Sequence, residues 1–92
     1  ARRERARFVQ ERSRALTPIR EALDESEKQI DALESRIAAI EAELSDPATH
    51  SHTEKMKSLP AELKQCRAQL ESAMERWEEL GEQLTEKEKE FN

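Results

Sequence analysis

Nine positions spaced alternately three and four residues apart run from Leu16 through Ile19, Leu23, Ser26, Ile30, Leu33, Ile37 and Ile40 to Leu44. A stripe that keeps this spacing without a slip lies along one side of an α-helix and requires a partner of the same period. The same chain supplies one. Met56, Leu59, Leu63, Cys66, Leu70, Ala73, Trp77, Leu80 and Leu84 repeat the spacing after a polar gap containing Pro47. Two equal stripes joined by a short break predict an all-α fold, a two-helix antiparallel coiled-coil hairpin with a basic N-terminal helical extension. The expected layout is a basic arm over residues 1–16, a first helix over 17–45, a tip over 46–51 and a second helix over 52–90.

A chain of 92 residues makes one small domain, and a hairpin buries a line of side chains where a globular fold buries a volume. A large internal active site is thereby disfavoured. Charged residues make up 40% and aromatics 3%, the balance of a long solvated helix pair, while the unbroken heptads argue against disorder. The net charge of -5 hides an asymmetry. Residues 1–20 hold seven arginines against Glu4 and Glu11, about +5, which leaves about -10 on the rest. A single cysteine excludes an internal disulfide and fits a reducing compartment. No apolar run approaches the roughly 18 residues that span a bilayer, and there is no signal-peptide pattern, so the chain reads as soluble and cytoplasmic. It begins at Ala1 on an already charged, helix-forming segment and reads as a piece of a longer protein.

Projected backward, the heptad puts Arg5 and Arg12 on the seam of the arm and leaves Val9 as its one buried residue. Arg3, Arg7 and Arg14 are expected on an adjacent face. Arginines at such spacings form stripes suited to phosphate, and the competing reading is a solvated helix or linker. Thr17-Pro18 should either cap a new helix or kink a continuous one, since proline has no amide to bond back four residues. Leu44-Ser45-Asp46-Pro47 stops the first helix, with Asp46 capping a short turn that starts at Pro47. Ser51 and Glu54 have capping-box spacing and predict a second helix starting near His52. His50 and His52 lack a third ligand, so a metal site is not expected. Pro60 predicts a kink or local break near residues 56–60 with the register kept. Gly81 weakens the second helix by about 1 kcal/mol relative to alanine. Near the open end, Leu84 and Phe91 should face Leu16 and Val9.

Matching Leu44 to Met56 sets Ile37 opposite Leu63, Ile30 opposite Leu70 and Leu23 opposite Trp77. Residues that did not define the seam test this register. It pairs Glu34 with Arg67, Arg36 with Glu62, Glu43 with Lys55 and Gln29 with Gln69, with no like charges opposed. Each exposed pair contributes only ~0.2–1 kcal/mol, so the pairs serve chiefly to specify register. A parallel dimer also passes, through Arg36 with Glu41 and Glu62 with Arg67, and the proline-containing loop favours the hairpin. Trp77 is expected in the core, where the small pair Ser26 and Ala73 makes room for its ring. Cys66 is expected to be a buried, inert thiol.

There is no glycine-rich phosphate loop, no nucleophile with a histidine and carboxylate, and no carboxylate pair in a pocket. The residues RRERARFVQERSRA, the TPIR turn at Thr17 to Arg20, AELSDP at Ala42 to Pro47 and ERWEEL at Glu75 to Leu80 together resemble the C-terminal coiled-coil domain of ABC-F proteins. These are the soluble ATP-binding cassette proteins that include Uup-like members. At the tip the chain has Ala48-Thr49-His50 where family members often show Leu-Tyr. The resemblance implies a parent ATPase whose two cassettes hold ATP and Mg outside this chain. It further implies a non-catalytic accessory domain that engages DNA, ribosomal RNA or the ribosome. The residues placed for phosphate contact are Arg2, Arg3, Arg5, Arg7, Arg12, Arg14 and Arg20. The rival reading is a structural spacer or a dimerisation coiled coil using the apolar end near Val9, Leu84 and Phe91.

Overall fold

The computed structural model describes all 92 residues, most of them in two α-helices. α1 spans Arg2–Ser45, a 3₁₀ turn covers Pro47–Ser51, and α2 spans Thr53–Lys89. The helices fold back on each other into a rod of 73 × 17 × 15 Å. The antiparallel hairpin is the one that the paired stripes predict, and the polar break makes its tip.

The two stripes do not bury evenly. Along α2 every second seam residue is buried, namely Leu59, Cys66, Ala73 and Leu80, and along α1 their counterparts Ser26 and Ile40 are buried too. The alternate seam positions, Leu23, Ile30, Ile37, Leu63 and Leu70, are only half-buried. Leu16, which faces Leu84 in the other set, is fully buried as well, and Ile19 and Leu33 are half-buried, so burial favours the set containing Ser26, Cys66 and Ala73 without being confined to it. Small side chains let the backbones approach there, and the larger alternate residues are left at the margin. Ile40, Leu59 and Cys66 form the main cluster, with Leu33, Ile37, Leu44 and Leu63 packed on it, so the apolar core is concentrated in the half nearer the tip. Cys66 is the expected buried free thiol.

Trp77 departs from expectation. It is 41% exposed, and its Nε1 donates to Glu27 Oε1 at 3.2 Å. The small pair Ser26 and Ala73 is buried as expected, but it draws the helices together where it was expected to open space for a ring. A bulky indole one layer away is then displaced to the side of the seam.

Neither proline ends a helix. Pro18 lies inside α1 and Pro60 inside α2, so of the two readings at Thr17-Pro18 the continuous helix holds, and the helical arm and the first helix of the hairpin are one element from Arg2. Each proline forfeits one backbone hydrogen bond, and both side chains face solvent, where water can satisfy the freed carbonyl. At the tip, Asp46 accepts from the Ala48 amide at 3.0 Å with Pro47 starting the turn, as expected. The Ser51–Glu54 capping box does not form. Ser51 Oγ donates instead to the Ala48 carbonyl at 2.9 Å, and α2 starts from His52 without a side-chain cap. His50 Nε2 donates to the Leu44 carbonyl at 3.0 Å, satisfying one of the acceptors left open at the end of α1. Thr49 is buried at 6% exposure, closing the core at the tip.

Flanking charges hold the register. Arg36 and Glu62 form a fork, with Nε and Nη2 each 2.9 Å from a carboxylate oxygen, and Lys55 Nζ lies 3.6 Å from Glu43. The hydrogen bond to Glu62 raises the Arg36 pKa above its ordinary value; desolvation opposes it, and the charges of Glu62 and Glu43 add to the rise. Arg67 pairs with Glu41 at 3.0 Å, not with Glu34. Side chains on a helix lean toward its N-terminus. Arg67 on α2 thus leans toward the tip and Glu41 on α1 leans away from it, so the two converge across one heptad. Gln29 and Gln69 line one open groove without bonding to each other.

Candidate nucleic-acid interface

The arginines proposed for phosphate contact all stand on α1. Its first turn closes with the Arg5 amide bonded to the Ala1 carbonyl at 3.0 Å, and the arm continues into the hairpin without a break. Arg2, Arg3, Arg5, Arg7, Arg14 and Arg20 are exposed and Arg12 is half-buried. None of the seven takes part in an ion pair; the six salt bridges of the molecule all lie elsewhere. Seven guanidinium groups without an ion-pair partner, set against Glu4 and Glu11, give the arm a net positive charge of about +5 beside the acidic end of α2.

These arginines do not form one stripe. Arg5 to Arg7 and Arg12 to Arg14 are steps of two residues, each turning the side-chain direction by about 200°. Arg5 and Arg12 therefore point to one side of the arm, and Arg3, Arg7 and Arg14 to roughly the other. A single straight duplex cannot contact both sets in full.

The arm is anchored by a contact that the heptad did not foresee. Phe8 meets Phe91 edge to face with ring centroids 5.8 Å apart, joining the start of α1 to the end of α2. Val9, expected to be the buried residue of the arm, is 64% exposed, because Phe91 packs with its neighbour Phe8. The sequence signal was an aromatic on the seam near the end of α2, Phe91, and a second aromatic, Phe8, one position off the seam near the start of α1.

Pockets are open grooves between side chains along the rod, and no group of three or more His, Cys, Asp or Glu residues is placed to hold a metal ion. His50 is occupied by the Leu44 carbonyl. No helix is long and apolar enough to cross a membrane.

A family model described as the ABC transporter C-terminal domain matches residues 18–82, more than two thirds of the chain. The chain belongs to that family. No curated protein and no solved structure matches it. The matched segment is the hairpin from Pro18 to just beyond Gly81, so the family assignment rests on the paired helices and the tip. As a member, the chain is a small all-helical accessory domain of an ABC protein. Arg20 lies within the matched segment, whereas Arg2 to Arg14 precede it.

Proposed function

We propose that this ABC transporter C-terminal domain is an accessory nucleic-acid-binding element of an ABC-F-type ATPase acting in the cytoplasm, and that it engages DNA, structured RNA or the ribosome through the arginine arm. The observation that carries the reading is the set of seven arginines at one end of the rod, none of them paired with a carboxylate. Phosphate is the partner that matches uncompensated guanidinium groups in number and geometry. The hairpin then acts as a rigid lever that holds the arm at a fixed angle to whatever precedes it. ATP and Mg belong to the parent cassettes. The one glycine here, Gly81, lies inside α2, and no phosphate-cradling loop is present.

Fluorescence-polarisation titration of the chain with duplex DNA and with structured RNA tests this. Binding should weaken steeply with salt, and each arginine that contacts a phosphate should contribute about one unit to the slope of log affinity against log salt. Changing Arg2, Arg3, Arg5, Arg7, Arg12 and Arg14 to Gln should abolish it. No binding at low salt, or binding indifferent to those six changes, excludes the assignment.

A further inference from the structure

The displaced Trp77 creates a second surface. Ile30, Met74 and Trp77 form an apolar floor on one side of the hairpin, with Met74 43% and Trp77 41% exposed, and Glu27, Asp31 and Glu78 ring it. The surface continues along α2 past Gly81, where a Cβ would meet nothing within 4 Å, between Glu78 and Glu82. Asp31, Glu78 and Glu82 have no cationic partner. An exposed tryptophan and methionine inside a ring of carboxylates, none of them in an ion pair, matches a helix that is apolar at its centre and cationic on either side. Guanidinium groups can lie against both indole and carboxylate.

The chain itself contains such a helix. Val9, 64% exposed, is flanked at four and three residues by Arg5 and Arg12, which places all three on one face of the arm. That face cannot reach its own Trp77 patch, because Val9 and Ile30 lie on one unbroken helix about 30 Å apart at about 1.5 Å per residue. A second copy can. We propose that two copies of the chain lie antiparallel, side by side, each seating the Val9, Arg5 and Arg12 face of its arm on the Ile30, Met74 and Trp77 patch of the other. The pairing is isologous, so each copy gives one arm and one patch and the contact closes at two chains. Its twofold axis crosses the rod midway between Val9 and Ile30, near Ile19. Gly81 faces Ile19 in the hairpin register and lies on the same face as Met74, so the missing side chain leaves space where the two rods cross. Arg3, Arg7 and Arg14 point away from this contact. Arg5 and Arg12 are shared between the two readings, so the dimer withdraws them from phosphate and leaves the other arginines of the arm; dimerisation is therefore tested with no nucleic acid present.

Sedimentation velocity of the full chain across a concentration series, at low and at about 0.5 M salt, tests the proposal with no nucleic acid present. Trp77, the one tryptophan, reports docking directly through its emission. The expected result at low salt is a monomer–dimer equilibrium with blue-shifted Trp77 emission in the dimer, weakened tenfold or more by high salt. The triple variant E27Q/D31Q/E78Q and the double variant R5Q/R12Q should each weaken association at least tenfold. All five side chains are exposed or half-exposed, and circular dichroism verifies that the hairpin is retained. Mixing the two variants should give heterodimers tighter than either homodimer, since one of the two contacts is restored. A monomer at every concentration overturns the proposal. So does a dimer that ignores salt and both variants, one that leaves Trp77 emission unchanged, or a mixture no tighter than its components.

Discussion

Ile40 and Leu16 are the two residues with no exposed surface, and they differ in what surrounds them. Ile40 sits inside the main cluster with Leu59 and Cys66, whereas Leu16 lies at the far end, where the seam gives way to arginine. Truncating a fully buried branched side chain removes its transfer free energy and leaves a cavity that helices held at both sides cannot collapse, a cost of about 2–5 kcal/mol. Single domains are stable by only about 5–15 kcal/mol, so Ile40→Ala should bring the hairpin close to unfolding. Urea denaturation followed by circular dichroism measures this as a lowered midpoint. A loss below about 1 kcal/mol would mean that the cluster around Ile40 is not the core. The same reasoning explains why Trp77 was misread from the sequence. A heptad position says which way a side chain starts out from the helix, but the width available to it depends on its neighbours, and Ser26 and Ala73 make that width small.

At the scale of the elements, α1 and α2 differ along their length more than from each other. The half near the tip has the apolar cluster, the Arg36–Glu62 fork and the Glu41–Arg67 and Glu43–Lys55 pairs. The first fifteen residues have the Phe8–Phe91 contact and little else, with Arg2 and Arg3 set unfavourably at the positive end of the helix dipole. Local opening should follow that gradient. Amide hydrogen exchange is expected to be fastest over the arm and the last turn of α2, and slowest around Ile37 to Leu44 and Leu59 to Cys66. Phe91→Ala should speed exchange further over residues 2–15 while leaving the tip half unchanged. Uniform protection from end to end would contradict this distribution. The register was legible in the sequence because two of the three ionic pairs, Arg36–Glu62 and Glu43–Lys55, follow from it directly. The third moved by one heptad because pairing by level ignores the lean of long side chains toward their own N-termini.

The whole molecule is a thin rod, with a radius of gyration of 20.8 Å where a compact chain of this length would have about 12 Å. Solution scattering at high salt should return a particle of that radius and a longest dimension near 73 Å; a compact particle would rule out the extended hairpin. Heptad spacing, the proline-bearing break and charge segregation were enough to determine the helices, their antiparallel pairing, the buried thiol, the acidic hairpin and its arginine arm. These features follow from periodicity and local chemistry, which are properties of the order of residues. The tertiary structure alone decided which seam residues are fully buried, that Pro18 and Pro60 are absorbed into continuous helices, and that Phe8 replaces Val9 against Phe91. It also decided that Trp77 lies at the surface among carboxylates. Each of these depends on how closely two backbones approach, a distance set jointly by side chains that are far apart in sequence.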